Sequence, residues 1–129
     1  MPRKPSKIFT DREMEIMRIV WELGEASARQ IQERLGAGRH YNSVMTIIRV
    51  LEKKRRLMHR EEGRAHIYRP AESQEKSRSR VLRELVKHVF GGSSTSLVLH
   101  LAETGELTKE DIEDVRRKMS SWSGKEKRR

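Results

Sequence analysis

The stretch YNSVMTIIRVLEKKRRLMHREEGRAHIYRP, Tyr41 to Pro70, decides the fold, because it reads as a helix running directly into a basic two-stranded hairpin. From Asn42 to Lys54 the apolar residues Val44, Ile47, Ile48 and Leu51 recur at i, i+3, i+4 and i+7, the spacing that seats one stripe of a helix against a core. Ser43, Thr46, Arg49 and Lys53 share the opposite face. Short hydroxyls at the start and long cations further along suit a helix whose first turns reach base edges while the rest meets phosphates. Taken alone, the pattern also describes an ordinary amphipathic surface helix. The second half of the stretch separates these readings. Leu57 to Arg69 is strand-like, with Glu62-Gly63 offering a turn and Ile67, Tyr68 and Pro70 closing the second run. A hairpin directly behind such a helix is a wing. Its His59, Arg60, Arg64, His66 and Arg69 would carry positive charge to a sugar-phosphate backbone or into a minor groove, although a solvated charged hairpin has the same composition.

Upstream, Thr10 with Glu13 forms a capping-box pattern that opens a first helix, along which Met14, Met17 and Trp21 fall at i, i+3 and i+7 as core positions. Leu23-Gly24 stops it. Ser27 with Gln30 opens a second helix with Ile31 and Leu35 facing inward, ended by Gly36-Ala37-Gly38, and the small residues around Ala26 are suited to a short strand pairing with the wing. Three helices and a hairpin in this order predict a winged helix-turn-helix domain over residues 9–71, preceded by a basic arm, 1–8. Downstream of Pro70 the chain predicts helices only. Val81, Leu82, Leu85, Val86 and Val89 share one side of a run broken by Gly91-Gly92. Ser94 to Glu103 is short and unusually apolar, and Thr108 with Asp111 starts a last helix carrying Ile112, Val115, Met119 and Trp122. Amphipathic helices with so little core of their own predict a three-helix dimerisation domain over 72–122, with Leu82, Leu85, Val89, Leu97, Val98, Leu101, Ile112, Val115 and Met119 as its contacts. An autonomous three-helix subdomain is the other reading. A basic tail, 123–129, follows, and the expected class is mainly α.

Composition fits a small nucleic-acid binder. Only 34% of the 129 residues are hydrophobic, against roughly 45 to 50% in average globular chains, so the core is thin and a shared apolar face in a homodimer is the natural remedy. Residues 1 to 70 hold 16 Lys and Arg against 9 Asp and Glu, residues 71 to 119 hold nine of each sign, and the last ten carry four cations against one anion. Basicity concentrated in the winged half fits phosphate neutralisation with counterion release. No run approaches the roughly 20 apolar residues of a membrane span and no secretion signal is read at the start, so the expected location is cytoplasmic. Cysteine is absent, which removes disulfides and thiolate metal sites. His40, His59, His66, His88 and His100 show no paired metal-ligand spacing, and no phosphate loop or nucleophile motif appears. The expectation is a protein without catalytic residues, metal or cofactor. A nonspecific architectural DNA-binding protein is the alternative class.

With these residues in view, the chain resembles the BlaI/MecI penicillinase-repressor family over nearly its whole length. The likeness rests on Trp21, on YNSVMTIIRVLEKK, similar to the family's Thr-rich recognition helix, and on GRAHIYRP in the wing. It continues through FGGSSTSLVLHLAETGELTKEDIEDVRRKM, which resembles the family's Gly-Gly, Ser-Leu-Val-Leu and final-helix series in order. The resemblance implies a dimeric repressor of resistance or related genes, bound to a palindromic double-stranded operator. It also implies derepression through cleavage by a membrane-bound, zinc-dependent sensor protease. Asn42, Ser43 and Thr46 match the start of the family's recognition helix, with Tyr41 and Arg49 in support; Asn42 is read either as an adenine contact or as a helix cap. Lys53, Lys54, Arg60 and Arg64 complete the expected DNA-binding set, and Lys53 to Arg56 form a candidate phosphate-facing cluster. Val50 stands where the family often has Arg, and Arg55 where it often has the Gly that ends the helix, implying a longer helix or a strained cap. By the same resemblance the cleaved bond is His100-Leu101, where the family's studied members carry Asn-Phe. A copper-responsive relative would carry C-terminal cysteines, which this chain lacks.

Overall fold

Residues 9–122 are described by the computed structural model, so the basic arm and the basic tail lie outside the described residues. The elements run α1 (Asp11–Leu23), β1 (Ala26–Ser27), α2 (Ala28–Leu35), α3 (Tyr41–Lys53), β2 (Leu57–Glu62), β3 (Ala65–Pro70), α4 (Gln74–Val89), α5 (Ser94–Glu103) and α6 (Lys109–Ser121). Packing divides the chain into two compact units, Met1–Leu85 and Val86–Arg129, so the division falls within α4 rather than just after the wing.

In the first unit, α1 and α2 open with the capping boxes that the sequence predicts. Thr10 Oγ1 accepts from the Glu13 amide at 3.1 Å while Glu13 Oε1 accepts from the Thr10 amide at 3.0 Å, and Ser27 and Gln30 exchange the equivalent pair. β1 pairs antiparallel with β3 through Ala26↔Tyr68 and Ser27↔Ile67, giving a three-stranded sheet of order β1-β3-β2. The hairpin turns at Gly63-Arg64, one residue later than the predicted turn, with Glu62 opposite Ala65 and Gly63 at φ 62°. Ile16, Met17, Val20, Ile31, Val44, Ile48, Leu51, Leu57 and Tyr68 are buried together as the core.

The α1 stripe differs from the predicted one. Ile16, Met17 and Val20 enter the core and Trp21 packs half-buried against it, whereas Met14, the third expected core position, lines a groove with Phe9, Trp21, Val81, Leu82 and Leu85. Thus α1 is apolar on two sides, because the core lies on one and the first turns of α4 on the other. Leu82 and Leu85, predicted as dimer contacts, line that groove within the first unit.

α3 ends at Lys53, and Arg55 follows at φ 64°, which makes it the strained cap and not an extension of the helix. The Arg55 amide donates to Glu52 O at 2.9 Å and the Arg56 amide to Leu51 O at 2.8 Å, the two bonds of a Schellman turn. A left-handed residue with a Cβ costs about 1 to 2 kcal/mol, partly offset by the greater unfolded-state entropy of glycine, so Arg55→Gly should stabilise the unit by roughly 0.5 to 1 kcal/mol. Urea titration of both proteins checks this; a lowered midpoint for the glycine variant would contradict the strain.

Glu72 anchors the start of α4. Its Oε1 accepts from Ser77 Oγ at 2.7 Å and from Arg80 Nε and Nη2 at 2.9 and 2.7 Å. Burial pushes its carboxyl up, but the hydrogen bonds from Arg80 and Ser77 and the charges of Arg80 and Arg56 outweigh it and hold the group below its ordinary value. A depressed carboxyl contributes stability that is present above its unfolded value, about 4.3, and is lost as pH falls through the lower folded value. The melting temperature should therefore drop across that acid window by less in Glu72→Gln than in the native chain, and equal drops would refute the assignment.

In the second unit α5 and α6 are capped by Ser93, which accepts from the Ser96 amide, and by the reciprocal Thr108–Asp111 box. None of the described residues from Val86 onward is buried. Val89 is 62% exposed, Leu99 57% and Met119 56%, with Val98, Ile112, Val115 and Trp122 also exposed. Apolar residues at helical spacing thus face outward with no core of their own.

Candidate nucleic-acid interface

Burying Val44, Ile48 and Leu51 turns the other side of α3 outward, and Tyr41, Asn42, Ser43, Thr46, Arg49 and Lys53 are all exposed there. The N-cap residue is His40, without a side-chain cap bond, so Asn42 lies inside the first turn and is not the cap. First-turn amides without a side-chain acceptor are donors suited to a phosphate. The Thr46 hydroxyl donates to Asn42 O at 2.9 Å, leaving its oxygen as an acceptor. Arg49 and Lys53 form no ion pair among the described residues.

The predicted cationic cluster at the end of α3 is not a cluster of contacts. Lys54 Nζ lies 2.8 and 3.0 Å from the two carboxylate oxygens of Glu13, and the paired side chains are only 7% and 6% exposed. Lys54 is therefore withdrawn from the phosphate-contact set: an ammonium buried against a carboxylate cannot also reach DNA. Arg56 is largely withdrawn too. Its Nε is buried without a hydrogen-bond partner, and burial first, then the Arg80 charge, lowers its pKa while Glu72 pulls it up.

Pleat alternation sorts the wing residues. Leu57 and Tyr68 are buried, so His59, Glu61 and His66 share their face. There the imidazoles of His59 and His66 stack, centroids 4.2 Å apart and 7° from parallel, with Glu52 of α3 bonded to His59 and Glu61 lying 3.6 Å from His66. These two histidines remain exposed but are engaged with one another and with acidic neighbours of the same chain. On the other face Arg60 is held by both oxygens of Glu25 at 3.2 Å and by Glu62 at 3.7 Å, and the Glu25 hydrogen bond and charge raise its pKa. Arg64, at the exposed tip, makes no ion pair among the described residues.

One residue escaped the sequence reading. Arg29, in the first turn of α2, sits 5.7 Å from the centre of the Tyr41 ring, and with Tyr41, Met45, Arg64 and His66 it lines a cleft of about 280 Å³ between the start of α3 and the wing. Only its spacing after the Ser27 cap could have signalled it, since first-turn residues of α2 stand beside the start of α3.

An outward-facing third helix, a hairpin behind it and a short strand between the first two helices that closes the sheet define a winged helix-turn-helix protein. The penicillinase repressor family model matches residues 9–121. The chain belongs to that family. It is 23% identical over 109 residues to the penicillinase repressor of Bacillus licheniformis, covering 83% of this chain and 85% of that one. It is 26% identical over 110 residues to the methicillin resistance regulatory protein MecI of Mammaliicoccus sciuri, covering 84% and 89%. Among solved structures, the DNA-binding domain of the repressor BlaI aligns with a TM-score of 0.48 at 25% identity, over 57% of this chain and 90% of that one. These relatives are named as repressors or regulators rather than as enzymes. Among the described residues no helix is long and apolar enough to cross a membrane.

Proposed function

We propose that the chain is a DNA-binding transcriptional repressor that acts as a homodimer on a two-fold operator, with α3 in the major groove and the wing on the flanking backbone. The observation that carries this reading is the outer face of α3: six exposed side chains able to bond bases or phosphates, on a helix that buries Val44, Ile48 and Leu51 in the core. Asn42, Ser43 and Thr46 are the base contacts, Tyr41, Arg49, Lys53 and Arg64 the backbone contacts, and Arg29 joins them. Arg60 contributes only by exchanging Glu25 for a phosphate. Family membership and the outward apolar faces of α5 and α6 support a dimer built from the second unit, which includes Val89, Leu97, Val98, Leu101, Ile112, Val115 and Met119.

Induction by a membrane-bound sensor metalloprotease follows the same family reading. The His100-Leu101 bond lies within α5, with His100 exposed and its ring 5.8 Å from that of Phe90. A protease that takes its substrate as an extended strand must first open that helix.

Footprinting on the promoter region of the chain's own gene tests the proposal. Two symmetric protected half-sites one or two helical turns apart are expected. Uniform protection, or equal competition by unrelated DNA, would instead identify an architectural protein. Asn42→Ala should cost about 1 to 3 kcal/mol on the operator and almost nothing on unrelated DNA. Arg64→Ala should weaken both and reduce the slope of log affinity against log salt by about one. The reverse pattern in a filter-binding series would exchange their roles.

A further inference from the structure

Glu72 stands where the chain leaves the wing and enters α4, and more converges on it than an ordinary helix start requires. Its backbone carbonyl accepts from the indole Nε1 of Trp21 at 3.1 Å, and its carboxylate takes the Ser77 hydroxyl and the Arg80 guanidinium. Ser77 is 1% exposed, and Arg80 also lies 5.1 Å from the centre of the Phe9 ring. α4 is thereby fastened to α1. The same carboxylate acts on Arg56, the residue that completes the turn at the end of α3. The Arg56 carbonyl accepts from the Ala71 amide at 2.8 Å, next to Glu72, and the Arg56 and Arg80 charges bear on one another. The Ala71–Arg56 backbone bond thus joins the start of α4 to the turn that ends α3, and the Glu72 carboxylate beside it holds Arg80 directly and favours the charge on Arg56.

We propose that Glu72 is a positioning residue for operator recognition, setting the orientation of α3 through Arg56 according to how α4 is seated. The proposal rests on the DNA-binding reading of α3. Without the anion, Arg56 and Arg80 repel across a poorly solvated site, and Arg56 passes that load to the turn that ends α3. A shift of that turn moves the outer face of α3 relative to the wing. Contacts to bases tolerate such a shift less well than contacts to phosphates.

The test uses the full chain, the footprinted promoter duplex and an unrelated duplex of equal length, at a temperature where circular dichroism shows every variant folded. Glu72→Gln should lower the ratio of operator to unrelated-DNA affinity about tenfold, and removing the second guanidinium in Glu72→Gln/Arg56→Met should restore most of it. Ser77→Ala, which keeps the charge and removes one donor, should lose about threefold and serves if Glu72→Gln does not fold. A lower melting temperature with an unchanged affinity ratio in the folded variants would overturn the role, because it describes an anchor that only stabilises. If the native chain itself shows no operator preference, the functional reading falls and this role with it. If the native chain discriminates and the variants discriminate equally, only the role of Glu72 falls.

Discussion

Lys54→Met is expected to destabilise the winged-helix unit by about 3 to 5 kcal/mol, because it leaves the Glu13 carboxylate buried with no countercharge. Glu13 also closes the capping box of α1, so the damage reaches the first helix as well as the end of the third. The double variant Glu13→Gln/Lys54→Met removes both charges and keeps an acceptor for the Thr10 amide. It should recover most of the loss, since a buried pair contributes far less than its two halves cost when separated. Urea denaturation of the single and double variants measures both effects. A Lys54 that met phosphates would give the opposite result: unchanged stability and weaker, less salt-sensitive DNA binding.

Val115→Asp in α6 is expected to convert the proposed dimer to a monomer and lower operator affinity by about 10² to 10⁴, the advantage of engaging a second half-site from the same particle. Val115 is exposed and packs into no core among the described residues, so a carboxylate there has no reason to unfold the monomer. Sedimentation equilibrium and titration of the operator duplex read the two consequences separately. A variant that remains dimeric would remove α6 from the interface. A native chain that is monomeric at micromolar concentration would refute the two-fold reading.

Much of the site was legible because α3 has unambiguous periodicity. Val44, Ile48 and Leu51 are buried as spaced, and that burial leaves Tyr41, Asn42, Ser43, Thr46, Arg49 and Lys53 outside. The departure at Arg55 was legible only as a choice between a longer helix and a strained cap, and φ 64° after a helix ending at Lys53 decides for the cap. Periodicity was less informative in α1. Two apolar stripes overlap there, and spacing does not say which one meets the core and which meets α4.

The cations divide the same way. Lys53 and Lys54 are adjacent in sequence and identical in chemistry, yet one is exposed and the other is buried against Glu13, 41 residues away. Arg60 and Arg64 belong to one hairpin, but only Arg60 faces Glu25 across the sheet. By itself the sequence determined the capping boxes of α1, α2 and α6, the period of α3 and the wing, because these depend on residues close together in the chain. Tertiary structure alone decided which charges are already neutralised and which remain for a partner, because an ion pair depends on a distance between residues far apart in the chain.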